Sequence, residues 1–176
     1  CKSSVLKADY DQFVMHQKFD PYGLTPMNMH SIRPCGPGEF LLYHGTSYAN
    51  TENILQNGFR KELTRSNPMF GPGIYFAACS SKSATYCESD NGTKNGKGRY
   101  RMIVARVFLG KCLKLKHPNQ TLGAPSEGYH SIQALTKKDG GSVFFDEFKI
   151  SNDCQALPEF VIDFTHAAAC KCNVCE

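Results

Sequence analysis

The chain has 176 residues, of which 41% are hydrophobic and 11% aromatic, so it has enough apolar material for one globular domain and is no low-complexity chain. A formal net charge of +4, spread along the sequence and without basic residues interleaved among aromatics, supports only weak attraction to anionic ligands and disfavours an RNA- or DNA-binding domain. No apolar run approaches the roughly 18 residues of a membrane helix and no signal peptide is visible, so no membrane partner is expected.

Taken in order, the chain starts at Cys1-Lys-Ser-Ser without Met and reads as a piece of something longer. Val5, Leu6, Tyr10, Phe13 and Val14 recur at helical spacing and predict a helix over 3–19, stopped by Pro21 and Gly23. Residues 20–38, rich in Pro, Gly, Asn and Met, read as an irregular connection. The apolar run over 39–44 then predicts a buried strand that ends at His44-Gly45. A His at such an end leaves the core, and the Gly after it allows another backbone or a flat ligand to come close. A satisfied core His beside a turn Gly is the competing reading. Asn50 is a candidate cap for a helix over 51–57, with Ile54 and Leu55 inward and Asn57-Gly58 as its end.

Residues 59–72, with Arg60, Lys61 and Arg65, form a long basic loop of the kind that carries function. A strand over 73–77 and a Ser-started helix over 80–88 follow, then a surface loop over 89–98 with its Gly and Asn residues. Residues 101–109 give the strongest strand pattern, apolar enough for burial on both faces. Residues 112–115 predict another strand, 116–142 a long irregular excursion, 143–150 a strand, and 159–164 a last strand introduced by Pro158. Strands interrupted by a few short helices imply an α+β domain with a mostly antiparallel core. The nine cysteines show no framework spacing, which favours free thiols in a reducing compartment, nuclear or cytoplasmic. Cys170, Cys172 and Cys175 end the chain with a lone CxxC, either half of a zinc site or a simple tail.

Several short motifs occur in order: Tyr43-His-Gly-Thr46, Phe70-Gly-Pro-Gly-Ile-Tyr-Phe-Ala77, Ser80-Ser-Lys-Ser83 with Tyr86, and Asp146-Glu-Phe148. The set resembles the catalytic domain of the poly(ADP-ribose) polymerases, the diphtheria-toxin-like ADP-ribosyltransferases with a His, Tyr, Glu triad. Gly128-Tyr-His-Ser131 and Gln155-Ala-Leu-Pro-Glu159 look like tankyrase segments. The resemblance implies a split β-sandwich, with a catalytic domain over 39–166 between a 1–38 lead-in and a 167–176 Cys-containing tail. It implies an NAD+-dependent transferase that moves ADP-ribose onto acceptor proteins, releases nicotinamide and is blocked by nicotinamide mimics.

The same resemblance assigns roles. His44, Tyr75 and Glu147 are the catalytic candidates. His44 would bind the adenosine ribose, Gly45 and Ser83 the nicotinamide carboxamide, and Tyr75 and Tyr86 the two faces of the nicotinamide ring. Ser47 is a candidate adenosine-side contact, and Arg65 a candidate for the pyrophosphate. Breaking the nicotinamide–ribose bond develops positive charge on the ribose, and a carboxylate beside it stabilises that charge most in the transition state. Glu147 is preferred to Glu159 for this because the tankyrase pattern it resembles places the catalytic Glu twelve residues before the Glu of the Pro-Glu pair, and 159 − 147 = 12. A Glu there permits poly-ADP-ribosylation. A transferase limited to one unit, or a catalytically silent NAD+/ADP-ribose-binding scaffold, is the alternative. Two departures qualify the tankyrase likeness. Residues 88–98 contain no Cys or His where tankyrases hold a small zinc site, so no metal is expected. Residues 1–38 are too few for the helical regulatory domain of DNA-dependent members, so no direct DNA activation is expected of this chain.

Overall fold

Sheet formation starts earlier than the predicted strand at 39. The computed structural model describes residues 33–64, 67–92 and 98–166. Within them, β1 (Arg33–Gly36), part of the stretch expected to be irregular, pairs antiparallel with the start of β2 (Glu39–Gly45) across the Pro37-Gly38 turn. The helix expected over 3–19 lies outside the described residues.

After β2, α1 (Tyr48–Asn57) begins three residues before the predicted helix. Ser47 is its N-cap: the Ser47 hydroxyl accepts from the Asn50 N–H at 3.2 Å, so Asn50 is capped and does not cap. Gly58 closes the helix at φ 77°, its N–H donating to the Ile54 carbonyl. Thr51 is the buried residue of α1, whereas Leu55 faces solvent. A short turn of 3₁₀ helix (Lys61–Leu63) interrupts the basic loop.

β3 (Ile74–Ala77) leads into α2 (Ser80–Ala84), shorter than the predicted helix and preceded by Cys79, which makes no side-chain cap bond. β4 (Tyr100–Phe108) is mostly buried, as its apolar run requires. β5 (Cys112–Leu115) matches the prediction. The excursion over 116–142 contains a strand the sequence did not disclose, β6 (Ser131–Ala134), parallel to β5. β7 spans only Glu147–Ile150, because the chain bends through Phe144 and Phe145, which are exposed. β8 (Ala156–Phe164) runs through Pro158, tolerated because β8 is a sheet edge. Its register against β4 slips between Val104 and Ala105, leaving Glu159 as the bulged residue.

The strand order is β5-β6-β7-β3-β2-β4-β8, with β1 beside β2, and every pairing except β5–β6 is antiparallel. This is the expected α+β, mostly antiparallel architecture. Leu42, Phe59, Phe76, Ile103, Val107 and Phe148 belong to the main core cluster, which spans both halves of the sheet. Core burial of that extent fixes β2, β3 and β7 against one another, and their ends carry the candidate site.

Candidate active site

The sheet parts between β2 and β3. These strands share a single registered pair, Tyr43 with Ala77, and the ladder goes no further toward Gly45 and Tyr75. A side chain bridges the gap instead: His44 Nδ1 donates to the Tyr75 carbonyl at 2.8 Å. That bond puts the proton on Nδ1 and leaves Nε2 as an acceptor. Burial lowers the His44 pKa below its ordinary value, with the Tyr75 bond opposing, so the ring is neutral at neutral pH. Phe59 meets it edge-on, with centroids 5.2 Å apart, which fixes its plane.

A cavity of about 810 Å³ opens at this parting. His44, Gly45 and Ser47 from the end of β2 and the start of α1, Tyr75 from β3, Ser83 and Tyr86 from α2 and the turn after it, and Glu147 from β7 all line it. Seven of the sequence-predicted site residues are therefore together. Arg65 lies outside the described residues.

Gly45 has a structural reason for its identity. A Cβ there would lie 1.8 Å from the Ser83 carbonyl oxygen and 3.2 Å from the Tyr86 Cβ. The absent side chain admits the protein's own backbone and so brings α2 against β2. Ser83 is 3% exposed and donates its hydroxyl to the Tyr43 carbonyl at 3.0 Å. Its oxygen lone pairs stay available to a ligand N–H. The Tyr75 hydroxyl donates to the Gly71 carbonyl at 2.6 Å and accepts from the Phe70 N–H at 3.2 Å, so two bonds hold the phenolic end of the ring. Tyr86 is 36% exposed at the rim. The Ser47 hydroxyl, engaged as an acceptor by its capping bond, keeps its own O–H to donate.

The two competing carboxylates occupy different places. Glu147 lines the cavity, 14% exposed in its side chain, with Oε1 3.1 Å from Lys82 Nζ. Glu159 lies on β8, bonded to the buried Arg106, which also faces Glu39 at 3.6 Å. Asp146 turns away from Glu147, as strand alternation requires, and accepts from Gln133 Nε2 at 3.1 Å.

Against known proteins, residues 6–172 match the family model of the poly(ADP-ribose) polymerase catalytic domain. The chain belongs to that family. As a polymerase-family catalytic domain it is similar to human poly [ADP-ribose] polymerase 2, 36% identical over 136 residues, which are 70% of this chain and 23% of that protein. Rice poly [ADP-ribose] polymerase 1 is 35% identical over 123 residues, 68% of this chain and 11% of the relative. Chicken protein mono-ADP-ribosyltransferase PARP3 is 41% identical over 101 residues, 56% of this chain and 18% of the relative. The chain thus spans a minor part of each relative's length.

Of the further lining residues of this polymerase-family domain, Lys82 and Arg60 had no site role assigned from the sequence. Lys82 donates to the Tyr86 hydroxyl at 3.0 Å while pairing with Glu147. Burial works against its charge, but the Tyr86 hydroxyl and the Glu147 carboxylate outweigh it and raise its pKa. The spacing from Lys82 to Tyr86, one helical turn, was the available signal. Arg60 also lines the cavity, through the same basic loop that offered Arg65.

Proposed function

We propose that the chain is an NAD+-dependent protein ADP-ribosyltransferase and that Glu147 permits it to build polymer. The observation that carries the reading is the convergence of His44, Gly45, Tyr75, Ser83, Tyr86 and Glu147 on one cavity. Its volume falls within the range of roughly 300–1,000 Å³ usual for small-molecule sites. The residues suit a dinucleotide. In this reading His44 accepts at Nε2 from an adenosine-ribose hydroxyl, and Arg60 offers charge toward the pyrophosphate. Tyr75 and Tyr86 take the two faces of the nicotinamide ring. Backbone groups at Gly45 hold the carboxamide, and Ser83 accepts from its N–H₂.

The chemistry asks most of Glu147. As the bond from nicotinamide nitrogen to ribose carbon breaks, its electron pair leaves with nicotinamide and positive charge grows on the ribose. The Glu147 carboxylate stabilises that charge and orients the 2′-hydroxyl. A hydroxyl or carboxylate of the acceptor then bonds to the ribose carbon, and any proton it carries passes to Glu147 or to solvent. Nicotinamide departs neutral, so no strong general acid is needed. Lys82 fixes the Glu147 carboxylate between uses. For elongation the same carboxylate polarises a hydroxyl of the preceding ADP-ribose unit. The acceptors are proteins, and a reducing compartment, nucleus or cytoplasm, suits the free thiols.

Incubation with labelled NAD+, followed by separation of products by size, tests this. Label on protein with an extended ladder is expected. Discrete single-unit labelling would support the mono-transferase alternative, and no label with retained NAD+ binding would support the silent scaffold.

A further inference from the structure

One buried charge has no part in the site just described. Lys149 on β7 is 1% exposed, and among the described residues no carboxylate pairs with it. An uncompensated ammonium in a core is costly unless its donors are satisfied. Here Nζ donates to the backbone carbonyls of Leu122 at 2.7 Å and Gly123 at 2.8 Å, and Ser151 Oγ donates to the same Gly123 carbonyl at 3.0 Å. Burial pushes the Lys149 pKa down to about 8.

The segment so gripped is packed against the cavity wall. A Cβ on Gly71 would lie 2.0 Å from the Leu122 carbonyl oxygen, so the two backbones are in direct contact. The Asn119 N–H donates to the Met69 carbonyl at 2.9 Å. Met69 lines the cavity, and the Gly71 carbonyl receives the Tyr75 hydroxyl. Tyr75 is also the registered partner of Lys149 across β3 and β7. By strand alternation Lys149 shares a face with Glu147.

We propose that Lys149 is a positioning residue for NAD+: it latches residues 119–123 onto β7, and through Gly71 this holds the cavity wall and the Tyr75 ring in place. An aliphatic residue of similar length would fill the same space but take the donor from the Leu122 carbonyl and one of the two donors from the Gly123 carbonyl. The latch would open and Tyr75 would lose its fixed anchor.

The role in NAD+ use rests on the transferase reading, whereas the latch does not. Lys149→Met is compared with wild type by hydrogen exchange on the free chain and by steady-state kinetics. Exchange at residues 67–73 and 119–123 is expected to rise about tenfold while β4 stays protected. KM for NAD+ is expected to rise several-fold with a smaller change in kcat. Ile132→Val, a packing change at the registered partner of Lys149 on β6, serves as control and should leave both segments and KM unaltered. Should Lys149→Met not fold, Ser151→Ala, which removes the other side-chain bond to Gly123, is expected to give a smaller exchange rise confined to 119–123. Unchanged exchange in those segments overturns the latch. Raised exchange with unchanged KM, or equal effects from Ile132→Val, overturns the positioning role. A wild-type chain without transfer would sink the proposed function and leave the exchange result standing.

Discussion

Replacing Gly45 by Ala is the smallest change that should disable the cavity. The added Cβ would sit 1.8 Å from the Ser83 carbonyl oxygen and 2.8 Å from its carbonyl carbon. A carbon–oxygen contact needs about 3.3 Å, so β2 and α2 must separate by on the order of 1.5 Å. No flexible side-chain end can yield, since the obstruction is backbone. Overpacking of this kind costs about 1–3 kcal/mol of stability. The separation carries Ser83 and Tyr86 away from Tyr75, and a misplacement of about 1 Å can cost on the order of 10²-fold in rate. Urea unfolding reads the first effect. Titration with benzamide, and turnover of labelled NAD+, read the second, with affinity and rate both expected to fall by a factor of that order. Leu157→Ala, at an exposed position on β8 outside the cavity lining, is the control. A folded Gly45→Ala protein that binds benzamide and turns over like wild type would refute the reasoning.

Glu147→Gln keeps the size of the side chain and removes its charge, so polymer length should shrink far more than NAD+ affinity. Glu159→Gln should instead lower stability by a few kcal/mol, roughly as for a broken buried pair, because Arg106 loses its bonded carboxylate; if only Glu159→Gln abolishes elongation, the carboxylate is misplaced. Lys82→Met removes the donor shared by Glu147 and Tyr86, and kcat should fall about tenfold or more, the worth of roughly one charge-assisted hydrogen bond, with KM little changed in initial-rate assays. His44, with its folded pKa below 6.5, takes up a proton less readily than in the unfolded chain. Stability should therefore fall as pH drops below 6.5 and level off below the folded pKa, and His44→Gln should flatten that slope in pH-dependent unfolding. Lys149 works in the opposite range: with a folded pKa of about 8 against 10.5 unfolded, its cost is present below 8 and is relieved as pH rises toward 10.5.

Much of this was legible because the informative signals were local. The apolar run ending in His44-Gly45, the strand read over 73–77 and the Ser80–Ser83 run followed by Tyr86 each declare themselves within a few residues. What stayed hidden depends on partners distant in sequence. β1 carries Pro34 and Gly36, which read as loop, and becomes a strand only because the start of β2 offers an edge. β6, Ser131–Ala134, is too short for a period and pairs with β5 across a long connection. Phe144 and Phe145 looked like strand residues but are exposed where the chain bends into β7. Leu55 matched a helix face but is exposed, because Thr51 takes the inward position of α1. Lys149 ran against the rule that lysines stay at the surface; only the fold shows that Leu122 and Gly123 present their carbonyls to it.

The most direct test of the central claim is a crystal structure of the chain with benzamide, a nicotinamide mimic. The account predicts the ring between Tyr75 and Tyr86, with its carboxamide bonded to the Gly45 backbone and to Ser83 Oγ. A carboxamide bound anywhere else, or a ring that leaves Tyr75 and Tyr86 untouched, would contradict it.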